Sequence, residues 1–253
     1  MSDELRVTLW NVLDRYFWST DNYLFRQYGE PEITPFARSL WMNLLKKPID
    51  TVPTYGSDIL KRIRDYFFKC EWYEVYDFLE YMCGFYSKTH PRFPEVMNVF
   101  LEREKSAYRF VNTQLAKIVD QQELAALTDA VNDDRFSPVS LHIKRAVQLY
   151  SDRKNPDYRN SIKESISAVE SMAKIITGND KATLVDALRT LEKGAKLHTA
   201  LKDGFIKLYA YTSDEDGIRH AMMQEPNLSE ADARYFLLSC SSFVNYLKSQ
   251  MDA

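Results

Sequence analysis

Apolar residues recur every three or four positions along most of this chain, the spacing that gathers them on one face of an α-helix. Leu5, Leu9, Val12, Leu13 and Tyr16 form the first such stripe, and Ser2 stands where an N-cap accepts an orphan N–H. A turn-rich interval with Gly29, Pro31 and Pro35 follows, then a short helix around Phe36 to Leu45 and a loop from Pro48 to Gly56. Ser57 is placed to cap a helix that turns Ile59, Ile63 and Phe67 inward. The next helix runs through Trp72, Val75, Phe78, Leu79 and Met82 to about Gly84, and Pro94 opens another through Val96 and Phe100.

At residue 107 the period changes. Ala-Tyr-Arg-Phe-Val, then Asn112-Thr113, then Gln-Leu-Ala-Lys-Ile-Val alternates about a turn, which predicts a small β-hairpin. Gln122 to Val131 returns to helix, and Asn132-Asp133-Asp134 breaks it.

From Ser137 the helices lengthen. Ser137 is read as the cap of a segment with Pro138 at its first position and Leu141, Ala146 and Leu149 inward. Asp157 opens a helix that continues to Ile176 and stops at Gly178. Thr183 caps a short one, and a longer one spans about His198 to Tyr211. Ser213 with Asp216, and Ser229 with Asp232, have the spacing of a capping box with Asp in place of Glu. The last helix carries Phe236, Cys240, Phe243 and Leu247 on one stripe, widened by Leu237 and Val244, and is expected to be mostly buried. The pattern predicts an all-α protein of helical bundles with one minor β-hairpin near residues 107–120.

Composition sharpens that picture. Only seven of the 253 residues are glycine, which disfavours strands joined by tight turns. A net charge of −3 provides no whole-molecule field for nucleic acid, so an RNA contact would need a local patch. Cys70, Cys83 and Cys240 are odd in number and fit no zinc spacing, as expected of reduced thiols in a cytoplasmic protein. Charges at Asp3, Glu4 and Arg6 argue against a signal peptide, and no apolar run reaches membrane-spanning length, so no membrane partner is expected. The sequence has no phosphate-cradling Gly-Lys-Ser loop, dinucleotide glycine fingerprint or His-Glu-x-x-His helix. His90, His142, His198 and His220 show no ligand spacing, so neither cofactor nor metal is expected.

Two places carry candidate chemistry. In the helix opened by Asp157, the apolar stripe is Ile162, Ile166, Val169, Ala173 and Ile176. At roughly 100° per residue, Glu170 borders that stripe and Arg159 projects from the same sector nearer the start. A carboxylate at the edge of a buried face needs a cation or donors. Glu170 is therefore either half of a structural salt bridge or the group that orients a functional cation. The second place is Ser213-Asp-Glu-Asp-Gly-Ile-Arg-His220. Gly217 costs about 1 kcal/mol against Ala in a helix, which suits close backbone approach. Arg219 is the cation that Glu170 could orient. Beside it, His220 could move the 2′-hydroxyl proton of RNA while Arg219 stabilises the crowded phosphate. The alternative is a packing arginine next to a surface histidine.

Three runs carry a resemblance. They are Asn155-Pro-Asp-Tyr-Arg-Asn-Ser-Ile-Lys-Glu-Ser-Ile-Ser-Ala-Val-Glu170, Leu208-Tyr-Ala-Tyr-Thr-Ser-Asp-Glu-Asp-Gly-Ile-Arg-His220, and the closing Phe-Leu-Leu-Ser-Cys-Ser-Ser-Phe-Val-Asn-Tyr-Leu247. From about Val139 to the end they resemble the C-terminal region of bacterial AbiJ-like abortive-infection proteins, which looks like a HEPN domain. Leu-Arg-Val-Thr-Leu-Trp-Asn-Val-Leu near the start, and the Tyr108-Arg-Phe-Val hairpin, resemble the helical module that precedes it.

The resemblance implies an N-terminal helical module over residues 1–132 and a HEPN-like bundle over 133–253. It further implies an antiphage defence component, a metal-independent ribonuclease or RNA-binding effector acting as a homodimer. Arg219 and His220 are then catalytic, with Glu170, Arg159 and Asp216 supporting. Where the family's ribonucleases carry a further histidine a few positions on, this chain has Gln224, Glu225 and Pro226, and Asp214, Glu215 and Asp216 put negative charge where a phosphate would dock. The alternative is thus a non-catalytic HEPN-like module that regulates a partner defence protein. A third reading, a small-ligand sensor built on the aromatic-rich N-terminal half, turns on whether Tyr73, Tyr76, Tyr81 and Tyr86 are buried.

Overall fold

The computed structural model describes residues 1–19, 30–118, 120–194, 197–213 and 228–251, and among these it holds eleven α-helices and one two-stranded antiparallel sheet. The all-α reading with one minor hairpin holds. The chain packs as two compact units, Met1–Val119 and Asp120–Ala253. No helix among the described residues is long and apolar enough to cross a membrane.

The first unit contains α1 (Asp3–Leu13), α2 (Ile33–Asn43), α3 (Gly56–Lys69), α4 (Trp72–Phe85), α5 (Phe93–Arg103) and the strands β1 (Arg109–Val111) and β2 (Gln114–Ala116). Ser2 caps α1, its hydroxyl accepting from the Leu5 N–H at 3.2 Å. Beyond Leu13 the helix widens into a π-helical turn, Asp14–Trp18. Large rings fill the core: Trp10 and Trp18 lie 4.9 Å apart by ring centroid, and Trp18, Phe36, Trp41, Phe67, Phe78 and Phe93 are fully buried. Tyr76 and Tyr86 are buried in the same core and half-buried Tyr81 packs against it, so these three tyrosines serve the interior, while Tyr73 is half-buried beside Trp72.

Three helix starts differ from the sequence expectation; one is that of Ser137, which lies inside its helix (Ser137–Ser151) with Phe136 at the N-cap position. The α2 helix begins at Ile33, three residues before Phe36, because Pro35 falls within the first turn, where a missing N–H costs nothing. Ser57 lies inside α3, whose N-cap position is Tyr55. Arg6 ties α1 to the far end of α3: its Nη1 donates to the carbonyls of Phe67, Phe68 and Cys70 at 3.2, 3.0 and 2.9 Å. A guanidinium there satisfies carbonyls the helix end leaves open.

The hairpin pairs Phe110 with Leu115 and Val111 with Gln114, turning at Asn112, whose φ of 55° is the left-handed conformation asparagine tolerates. So short a ribbon is marginal alone. Helices secure both edges. Asn98 of α5 exchanges two hydrogen bonds with the Phe110 backbone, at 3.0 and 2.6 Å, and Glu80 of α4 accepts from the Leu115 N–H at 2.6 Å.

The second unit contains α6 (Gln121–Val131), α7 (Ser137–Ser151), α8 (Tyr158–Thr177), α9 (Leu184–Lys193), α10 (Thr199–Ser213) and α11 (Glu230–Met251). Helix α8 is the hub, in contact with α7, α9 and α11, while α6 packs on α7 and α11. Asp157 caps its start and Gly178, at φ 63°, ends it. Ser161 of α8 donates to the Ala146 carbonyl of α7 at 2.8 Å, fixing the pair's register. Leu141 faces solvent, 66 % exposed, against expectation. The inward stripe of α7 is Val139, Ile143, Ala146, Val147 and Tyr150. In α11 every expected core residue, from Phe236 to Leu247, is buried.

Candidate functional site

The middle of α8 turns Ile166 and Val169 toward α10 and α11. With Phe205, Phe236, Cys240 and Phe243 they line an apolar cavity of about 30 Å³. Glu170, one residue past Val169, is half-buried at its edge and accepts a hydrogen bond from the Tyr209 hydroxyl of α10 at 2.5 Å. Phe205 and Phe243 stack beside it with their planes 15° apart. The stripe-edge position read from sequence therefore holds a carboxylate that joins two helices.

Arg159 is half-buried in the first turn of the same helix, and the rise from Arg159 to Glu170 is about 16 Å, so the two stand at separate levels of α8. Arg219, His220, Asp216 and Gly217 lie outside the described residues, as do Gln224, Glu225 and Pro226, and with Asp216 goes one half of the Ser213–Asp216 box. The Ser229–Asp232 box is formed: the Asp232 carboxylate accepts from the Ser229 N–H at 2.8 Å, and Ser229 Oγ accepts from the Asp232 N–H at 3.3 Å.

A second polar pair was not legible in the sequence. His142 of α7 and Glu164 of α8 meet at 2.7 Å, Nδ1 to Oε2, both partly exposed. A carboxylate on Nδ1 orients an imidazole, which is how a histidine is readied for proton transfer through its other nitrogen. Arg145 follows His142 by one helical turn on the same face, with Nη1 donating to Gln148 at 2.6 Å. The available signal was the antiparallel turn between α7 and α8: with Ala146 opposite Ser161, His142 falls one residue from directly opposite Glu164.

The three thiols are poor nucleophiles. Burial pushes Cys70 up to about 11, and Cys83 and Cys240 up to about 12. Among the described residues no cluster of three or more His, Cys, Asp or Glu side chains could hold a metal ion.

These features define a helical protein of two compact units, with its candidate chemistry on the C-terminal bundle. Residues 1–133 match the family model AbiJ N-terminal domain 4, which spans more than half of the chain. The chain belongs to that family. No curated protein and no solved structure matches it.

Proposed function

We propose that this protein is an antiphage abortive-infection component whose C-terminal unit is a HEPN-like bundle directed at RNA. Membership of the AbiJ N-terminal domain family is the observation that carries this reading. The resemblance of the three C-terminal runs adds the RNA-directed half. In this reading Arg219 and His220 act on the phosphodiester: His220 moves the 2′-hydroxyl proton, Arg219 stabilises the crowded phosphate, and the sugar's own oxygen is the nucleophile. Two copies of the chain complete the site between them, with Glu170, Arg159 and Asp216 in support and no metal. The protein works in the cytoplasm.

A second reading has its own observation. Gln224, Glu225 and Pro226 occupy the places of the family's later histidine, and Asp214, Glu215 and Asp216 oppose a phosphate. That favours a non-catalytic module that binds a partner defence protein. Purified protein incubated with chelator, total RNA and defined tRNA separates the two. Cleavage leaving a cyclic phosphate, lost in His220→Ala, supports the first. Cleavage lost instead in His142→Ala moves the chemistry to the α7–α8 pair, and intact RNA with a stable partner complex supports the second.

A further inference from the structure

Helix α1, its π-helical continuation and α5 enclose a cleft of about 450 Å³ on the N-terminal unit. That size falls within the roughly 300–1,000 Å³ of small-molecule sites. Arg15, Arg103, Tyr16, Phe100, Thr8 and Asn11 line it, and no acidic side chain is among the described lining residues.

The lining specifies a chemistry. Arg103 is held in place: its Nε and Nη2 donate to Glu104 Oε1 at 3.0 and 2.8 Å, and its guanidinium lies 4.9 Å over the Phe100 ring. Glu104 is itself held by the Thr8 hydroxyl at 3.2 Å, so the network is braced from α1, although Glu104 does not line the cleft. Braced donors lose little freedom when a ligand arrives. Arg15 is exposed on the π-helical turn, a distortion found often at functional sites. Planar guanidinium groups match phosphate oxygens; with its Nε–Nη2 edge on Glu104, Arg103 offers its Nη1 side. Between them Tyr16 and Phe100, both half-buried, and Val12 and Val96 offer an apolar wall; the Arg103 guanidinium already lies over the Phe100 ring, so Tyr16 is the aromatic side chain left for a base.

We propose that this cleft binds a nucleotide, with its base against Tyr16 and its phosphate against Arg15 and Arg103. A free mononucleotide and the phosphorylated end of an RNA share that chemistry. The proposal is independent of whether the C-terminal unit cleaves RNA.

Calorimetric titration of the full chain tests it with AMP, GMP, CMP, UMP, adenosine, inorganic phosphate and a short RNA with and without a 5′-phosphate. At least one nucleoside monophosphate should bind more tightly than phosphate or adenosine. Arg15→Ala should weaken that binding about tenfold to a hundredfold, the range of one charge-assisted hydrogen bond. Arg15 is exposed, so its melting curve should match wild type; Arg103→Gln provides the second variant. Tighter binding of the 5′-phosphorylated RNA than of its dephosphorylated form and of UMP assigns the site to RNA ends, and preference for a monophosphate assigns it to free nucleotide. The proposal is overturned by absence of binding for every nucleotide, by affinity unchanged in both variants, or by phosphate alone binding as well as any nucleotide.

Discussion

Tyr209 donates its hydroxyl to Glu170 across 2.5 Å, joining α10 to the hub helix α8 at the edge of an apolar cavity. Both groups are half-buried, so the bond is partly shielded from water without being sealed off. Removing the hydroxyl in Tyr209→Phe should cost about 1 kcal/mol of stability. A double-mutant cycle with Glu170→Ala should return a coupling of about 0.5–3 kcal/mol. Additive effects would show that the bond is not made in solution.

Arg6 is expected to matter more than its place in an N-terminal helix suggests. It satisfies three carbonyls at the end of α3, so Arg6→Ala should destabilise the N-terminal unit by roughly 1.5–3 kcal/mol. Arg6→Lys should recover much of the loss, since all three bonds leave a single nitrogen and an ammonium offers three donors. Urea denaturation of the three proteins measures the difference.

Gly178 ends α8 at φ 63°, and a methyl group there would meet nothing within 4 Å. Gly178→Ala should therefore cost only the left-handed backbone penalty, about 1–2 kcal/mol. Gly178→Asn should cost less. Thermal melts of both variants would expose any hidden steric contribution as a larger loss in Asn than in Ala.

The thiols set a pH dependence. Cys83 and Cys240 rise to about 12 in the folded protein, and Cys70 to about 11, while an unfolded thiol titrates near 8.5. Between those values the folded chain holds more protons than the unfolded one, so stability falls as pH rises. Their contribution is intact below about pH 8.5 and is lost toward pH 11–12. Denaturation midpoints across that range should fall less steeply in Cys240→Ala than in wild type, once its lower starting stability is subtracted. Alkylation of the native protein should reach half-buried Cys70 before the buried pair.

Periodicity reports burial, and it served well where one face of a helix is buried and the other wet. The stripes of α3 and α11 were legible for that reason, and so was the hairpin, because Asn112 supplies a turn no helix would use. Helix ends were harder. Pro35 reads as a break but sits in a first turn that tolerates it, and Ser57 reads as a cap but is already helical. In α7, Leu141 competes with Val139 and Ile143, and only packing against α8 decides between the two stripes. The stripe edge at Glu170 was visible from angle alone. Its partner Tyr209 and the Arg15–Arg103 cleft are made by helices distant in the chain, and nothing local marks them; the His142–Glu164 pair joins consecutive helices, but only their packing sets the register that brings the two together. Arg219 and His220 stood out as an adjacent Arg-His pair beside Gly217, and the resemblance then marked them as the catalytic pair.

The ring-filled core has a spectroscopic consequence. All four tryptophans, Trp10, Trp18, Trp41 and Trp72, fall within Met1–Val119, and none within Asp120–Ala253. Tryptophan emission therefore senses the Met1–Val119 unit alone, whereas helical dichroism senses both. Followed by the two signals during one denaturant titration, a chain whose units melt together would trace a single midpoint. A chain whose units melt separately would trace two, and the gap would measure the stability of the C-terminal bundle without cutting the protein.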